Sequence, residues 1–216
     1  MKIPPDIQEF LKALVFGALV IIGALAVSQV RATEYDLAVT TAVMMVGPPA
    51  LMDDGTYGQF SCSGTVIAPE TVLTAKHCLE AAWRVRTADG VWHTVYGGKI
   101  DQVQDAAVIY VRGVACPCAP IGGELKVGDE VRAVGFPGGQ WLDSAGFVLE
   151  ILRFTNGVAA GEVLVGHSAF TFFGASGGGL WAVQDGRLVL VGVHSRIVFA
   201  GMRILSFAVP VTELRR

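Results

Sequence analysis

From residue 33 to residue 216 the chain never runs far without a turn former. Short β-branched and apolar runs are separated by Gly, Pro, Asp and Asn, and helical periodicity is nearly absent. The runs Ala42–Val46, Ser63–Ile67, Thr71–Thr74, Trp83–Thr87, Val91–Tyr96 and Ala106–Val111 read as strands. So do Glu130–Gly135, Gly146–Leu152, Gly161–Val165, Leu180–Ala182, Leu188–His194 and Ser206–Val209. Some alternate, as in Val131-Arg132-Ala133-Val134, which suits a strand with one face buried. Many short strands at this spacing predict an all-β sandwich or barrel. The stretch Gly113 to Gly123, GVACPCAPIGG, has two Pro and no periodicity, so it divides the chain. The expected organisation is a first β unit over 33–113, a linker over 114–123 and a second β unit over 124–216, with a short helix beginning within Val211–Arg216.

Composition removes several function classes. Apolar residues make up 52% and charged residues 16%, below the usual charged share of about 25%, which excludes a solvating disordered chain. The formal charge is −3, so no basic surface announces nucleic acid. No internal repeat is visible.

Ahead of the β region lies Ala13 to Val27, ALVFGALVIIGALAV, without a charge and preceded by Lys2 and Lys12. A secretory signal peptide fits, with small-residue sites at Ala24-Leu25-Ala26 and Val30-Arg31-Ala32. An uncleaved anchor over residues 11–30 fits too, since a span needs about 20 residues and only Lys12, Ser28 and Gln29 interrupt it. A buried core helix is the third reading. The first two make residues 1–32 a signal peptide or membrane anchor and put the following domain outside the cytoplasm, secreted or tethered, where disulfides survive.

Three stretches carry candidate chemistry. Ser61 to Ala68 followed by Val72 to Cys78 reads as a hairpin with His77 at its end, flanked by Cys62 and Cys78. Were these two cysteines paired, closing a loop of about 15 residues would stabilise the His-bearing turn by ~3 kcal/mol. Asp105 stands at the mouth of the apolar run Ala106–Val111, and Ser176 sits among glycines in Gly174-Ala175-Ser176-Gly177-Gly178-Gly179. Each alone has a bland reading: a packed histidine, a turn carboxylate, a glycine loop. Together they supply a nucleophile, a base and a carboxylate to orient the base, and the glycines let backbone N–H groups reach a developing oxyanion.

These blocks resemble the chymotrypsin-like serine proteases, whose motifs read T-A-A-H-C, D-I-A-L and G-D-S-G-G-P. Here they stand as T-A-K-H-C, D-A-A-V and G-A-S-G-G-G. The resemblance spans roughly residues 40 to 210 and implies two six-stranded antiparallel β-barrels, preceded here by the hydrophobic N-terminal helix, with the site in the cleft between barrels. It implies His77 as general base, Asp105 as its orienter, Ser176 as nucleophile, the amides of Gly174 and Ser176 as oxyanion hole, and a Cys62–Cys78 bridge. Asp101 is the second candidate carboxylate. The partner would be a polypeptide substrate, and the chemistry needs no metal and no cofactor. Where digestive-type members carry Asp before the nucleophile, to receive a freed N-terminus, this chain has Ala175, so its oxyanion loop must be held differently. Lys76 beside the histidine resembles the glutamyl endopeptidase branch.

The pocket for the side chain preceding the scissile bond (P1) follows from the same resemblance. Phe170 stands where trypsin-like selectivity places Asp, which disfavours cleavage after Lys or Arg. Thr171, with His194 and Ser195 in Val191-Gly192-Val193-His194-Ser195, resembles pockets that take Glu or Gln. A histidine and a hydroxyl can donate to a carboxylate or carboxamide oxygen. An apolar slot from Phe170, Phe172 and Phe173 is the competing reading. Backbone groups of Ser195 and Arg196 would pair with an extended substrate. His167 reads as a strand or loop residue near the pocket. Cys116-Pro117-Cys118 reads as too short for a comfortable bridge with itself, and no further Cys/His cluster makes it a metal clip. Beside an active endopeptidase stand a peptide-binding pseudo-protease and a purely structural tethered barrel.

Overall fold

The computed structural model describes residues 37–51, 57–201 and 203–214. The candidate signal or anchor segment lies outside the described residues, and no helix among the described residues is long and apolar enough to cross a membrane.

Residues 37–41 are helical and lead into the first of twelve strands. The first six are β1 (Ala42–Leu51), β2 (Tyr57–Ala68), β3 (Thr71–Thr74), β4 (Arg84–Arg86), β5 (Trp92–Ile100) and β6 (Ala107–Val111). They close a barrel in the order β1-β2-β3-β6-β5-β4, with β1 paired to β4. The second six are β7 (Glu130–Gly135), β8 (Leu142–Arg153), β9 (Val163–His167), β10 (Gly179–Gln184), β11 (Arg187–Ala200) and β12 (Arg203–Pro210). They close in the same relative order, with β10 against β7. Each barrel is antiparallel throughout and has no open edge at its seam. A short 3-10 turn, Val211–Glu213, follows β12.

Each barrel has its own core. Val43, Met45, Val66, Val72, Val85, Ile109 and Val111 fill the first. Val131, Val148, Val165, Leu180, Val189 and Val191 fill the second. A third cluster, including Leu73 from β3 and Val134, Trp181, Leu190 and Val193 from the second barrel, packs the two together. This explains the unbroken apolar run in β11. Val189 and Val191 face the barrel interior while Leu188, Leu190 and Val193 face the seam, so both sides of the strand are covered.

Disulfides join Cys62 to Cys78 and Cys116 to Cys118. The second corrects the expectation that a C-x-C is too short for a comfortable bridge with itself. Its Cα atoms are 4.6 Å apart, inside the range that a disulfide spans.

Candidate active site

His77 lies in the 3-10 turn Lys76–Ala81, directly after β3, and the Cys62–Cys78 bridge ties that turn to β2. Asp105 ends the turn that precedes β6. β3 and β6 are neighbours, with Thr74 opposite Ala107, so the two residues meet at one rim of the first barrel. The His77 ring Nδ1 is 2.8 Å from Asp105 Oδ2, and the His77 backbone N–H donates to Asp105 Oδ1 at 3.1 Å. Asp101 does something else. Its Oδ1 accepts the N–H groups of Val103 and Gln104, both at 2.8 Å, and so caps its own turn.

A third partner reaches Asp105 from the other barrel. Ser195, in β11, donates its hydroxyl to Asp105 Oδ2 at 2.6 Å. Burial pushes the Asp105 carboxyl up, but hydrogen bonds from His77 and Ser195 outweigh it and hold the group at about 2. Asp105 is therefore ionised at neutral pH and can only accept. The His77 proton accordingly sits on Nδ1, which leaves Nε2 with a free lone pair on a half-exposed ring.

Ser176 lies in the loop before β10, where the backbone bonds follow a pattern. The N–H of Ala175 donates to Phe172 O (2.9 Å), that of Gly177 to His194 O (2.7 Å) and that of Gly178 to Ala175 O (2.9 Å). Among the described residues the N–H groups of Gly174 and Ser176 donate to nothing. Their orientation is nonetheless fixed through the planar peptide unit, whose C=O and N–H point in opposite directions. Phe173 O, opposite the Gly174 N–H, accepts from Gly138 N at 2.9 Å, and Ala175 O is opposite the Ser176 N–H. Ser176 O accepts from Ser63 N at 2.7 Å and lies 3.5 Å from Cys78 Sγ, which places the loop against the turn that carries His77. The Ser176 hydroxyl makes no hydrogen bond among the described residues. Such bonds are commonly long in uncomplexed enzymes and tighten with substrate.

Two glycines are required here. Gly174 has φ +95°, and a Cβ would come within 3.0 Å of Phe136 O. Gly177 has φ +82°, and a Cβ would drive into Thr74 and the Ser63 carbonyl on the first barrel.

The candidate pocket residues are divided. His194 (3% exposed), Ser195 and Thr171 are buried. The rings of His194 and His167 lie 5.2 Å apart, and among the described residues none of their four nitrogens has a hydrogen-bond partner. Burial lowers the His167 pKa to about 4. Burial, then the neighbouring His167, takes His194 well below the ordinary value. Both are neutral imidazoles. Thr171 Oγ1 bonds Ser206 Oγ at 2.8 Å, and Ser206 faces His167 across β12 and β9. Phe170, Phe172 and Phe173 are exposed and form a chain of ring contacts that ends on Phe199, so they are not core. Arg196 forms an ion pair with Glu162, whose carboxylate is buried. Cys62, His77 and Cys78 bring donor atoms within 4.8 Å of one another, but both sulfurs belong to the disulfide and offer no thiolate to a metal.

The family model for trypsin-like peptidase domains matches residues 62–193, which take in His77, Asp105 and Ser176. The chain belongs to that family. The trypsin-like domain aligns with the Rv3671c protease from M. tuberculosis in its active form at a TM-score of 0.68 and 20% identity, over 88% of this chain and 82% of that one. The inactive form of the same protease aligns at 0.64 and 21%, over 88% and 91%. The HtrA-type protease AlgW with a decapeptide aligns at 0.65 and 22%, over 84% of this chain and 64% of AlgW. At these identities the likeness is one of fold. No curated protein matches the sequence.

Ser195 carries a contact that the sequence does not announce: its hydroxyl binds Asp105. Nothing local signals this, because the partner is 90 positions away.

Proposed function

We propose that the protein is a serine endopeptidase in which Ser176 is the nucleophile, His77 the general base and Asp105 the carboxylate that orients it. One observation carries the reading. An ionised carboxylate sets the imidazole tautomer with Nε2 free, next to a serine loop whose two uncommitted amides belong to Gly174 and Ser176. The Ser176 hydroxyl attacks the scissile carbonyl while His77 Nε2 takes its proton. The carbonyl oxygen becomes an anion held by the amides of Gly174 and Ser176. Collapse breaks the C–N bond, His77 protonates the departing amine, and an acyl group remains on Ser176. Water, deprotonated by His77, then releases the acid and restores the hydroxyl.

The preferred P1 residue is Glu or Gln. His194 and Thr171 supply buried polar atoms in the second barrel, and the four nitrogens of His194 and His167, unpartnered among the described residues, are costly when no ligand meets them. A neutral imidazole offers a hydrogen bond rather than a charge, which suits a carboxamide as well as a carboxylate. The exposed phenylalanines 170, 172 and 173 would suit an apolar P1 if they folded over the pocket mouth. The two disulfides suit an extracytoplasmic location, secreted or tethered through residues 11–30. Cleavage of a peptide library varied only at P1 tests specificity. Enrichment of Glu and Gln by tenfold or more supports the polar pocket, and enrichment of Phe or Leu rejects it. The unbonded Ser176 hydroxyl favours a second reading, a peptide binder without turnover, which the same library tests by showing binding and no cleavage.

A further inference from the structure

We propose that the Ser63 side chain is the positioning residue of the oxyanion loop, a clasp from the first barrel that keeps the Gly174 amide presented without help from a new chain terminus. The proposal rests on Ser176 and the Gly174 and Ser176 amides acting as described above.

Ser63 lies in β2 and is fully buried. Its hydroxyl donates to Gly174 O at 2.8 Å and accepts the Phe136 N–H at 2.8 Å. Neither direction is ambiguous, since a carbonyl cannot donate and an amide nitrogen cannot accept. The Ser63 N–H donates to Ser176 O, and the Ser63 carbonyl accepts the Thr74 hydroxyl at 2.8 Å. Every polar group of the residue is therefore engaged, and two of them bracket residues 174–176. Among the described residues Ser63 supplies the one side-chain hydroxyl that bonds the backbone of 173–178.

The same hydroxyl also acts indirectly. By holding Phe136 it fixes the turn Pro137–Gly139, whose Gly138 N–H holds Phe173 O. That carbonyl is the other end of the peptide unit that carries the Gly174 N–H. Ser63 thus secures the peptide units on both sides of Gly174. Without the hydroxyl, Gly174 O and Phe136 N become part-buried groups lacking this partner, and the cheapest relief is rotation at Gly174, where no Cβ opposes it. Ala175, buried and uncharged, offers the loop no ionic anchor. Ser63 thereby makes the loop competent as folded.

The test uses the full chain carrying Ser63→Ala, with Ser63→Gly as a second deletion of the hydroxyl and Ser63→Thr as the conservative control. Misplacing one oxyanion donor predicts a fall in kcat of about 10²-fold, with KM within twofold. A peptide boronate, which forms a tetrahedral adduct on Ser176, should lose affinity in parallel. Binding of the uncleaved peptide, measured in a Ser176→Ala background, should not change. Ser63→Thr should restore most of kcat. Equal loss of peptide and boronate binding, or kcat within twofold of the parent, would overturn the proposal. So would loss of cooperative melting in both deletion variants, which would assign Ser63 to folding. Failure of the underlying reading looks different: the parent chain itself would neither turn over nor bind the boronate at Ser176.

Discussion

The Ser195 hydroxyl lies 2.6 Å from Asp105 Oδ2, although the two residues are 90 positions apart and belong to different barrels. The contact belongs to a closed circuit. Arg196 Nε is 3.4 Å from Ser195 Oγ, and the Arg196 guanidinium pairs with Glu162. Gln104, next to Asp105, donates to Gly161 O and accepts the Val163 N–H, each at 3.0 Å, so it clamps the two residues flanking Glu162. The carboxylate that orients His77 is thereby held from the second barrel on two sides, through Ser195 and through Gln104.

Ser195→Ala should therefore weaken His77 orientation without removing the carboxylate. We expect kcat to fall about tenfold with KM nearly constant, in keeping with the loss of a charge-assisted hydrogen bond. Steady-state kinetics on one peptide substrate suffice, and an unchanged kcat would show that Ser195 contributes nothing to His77.

Glu162→Gln should act through Arg196. With its partner neutral, the guanidinium is drawn toward Asp105 and competes with Ser195 and His77. A severalfold fall in kcat is expected, partly reversed by adding Arg196→Ala. Additive losses in the double variant would argue against this coupling.

Much of the fold was legible because strand signals are local. All twelve runs correspond to strands, and Thr71–Thr74 and Glu130–Gly135 keep their bounds. Others are longer than their apolar cores. β8 begins at Leu142 rather than Gly146, since backbone pairing with β7 extends past the apolar residues. What stayed hidden depends on distant partners. Ser63 looks like one residue of a β-strand until Gly174 and Phe136 arrive beside it. Phe170, Phe172 and Phe173 read as an apolar slot, and it is their exposure in the folded chain that places them on the surface.

Stability should fall in mild acid because of the buried imidazoles. In the unfolded chain a histidine takes up a proton as pH drops below about 6.5, whereas folded His167 resists until about 4. The unfolded state binds more protons in that window, so its advantage grows as pH falls. His167 alone accounts for about 3 kcal/mol, complete above 6.5 and lost on approaching 4. Urea midpoints at pH 7.5, 5.5 and 4.5 should decline in the parent and decline less in His167→Phe. A flat parent profile would contradict neutral burial.

Replacing Cys62 and Cys78 together by Ala should lower stability by about 3 kcal/mol, because the bridge closes a loop with a separation of 16 residues. The urea midpoint of the double variant measures it. Activity should fall further than stability alone accounts for, since the bridge tethers the turn that carries His77.

The central claim is that Ser176 is a nucleophile activated by His77. Labelling with a fluorophosphonate probe, read by intact mass and peptide mapping, tests it most directly. The parent chain should gain one adduct, on Ser176, and both Ser176→Ala and His77→Ala should stay unlabelled while melting cooperatively. An unlabelled parent, or an adduct that persists in Ser176→Ala, would contradict the account.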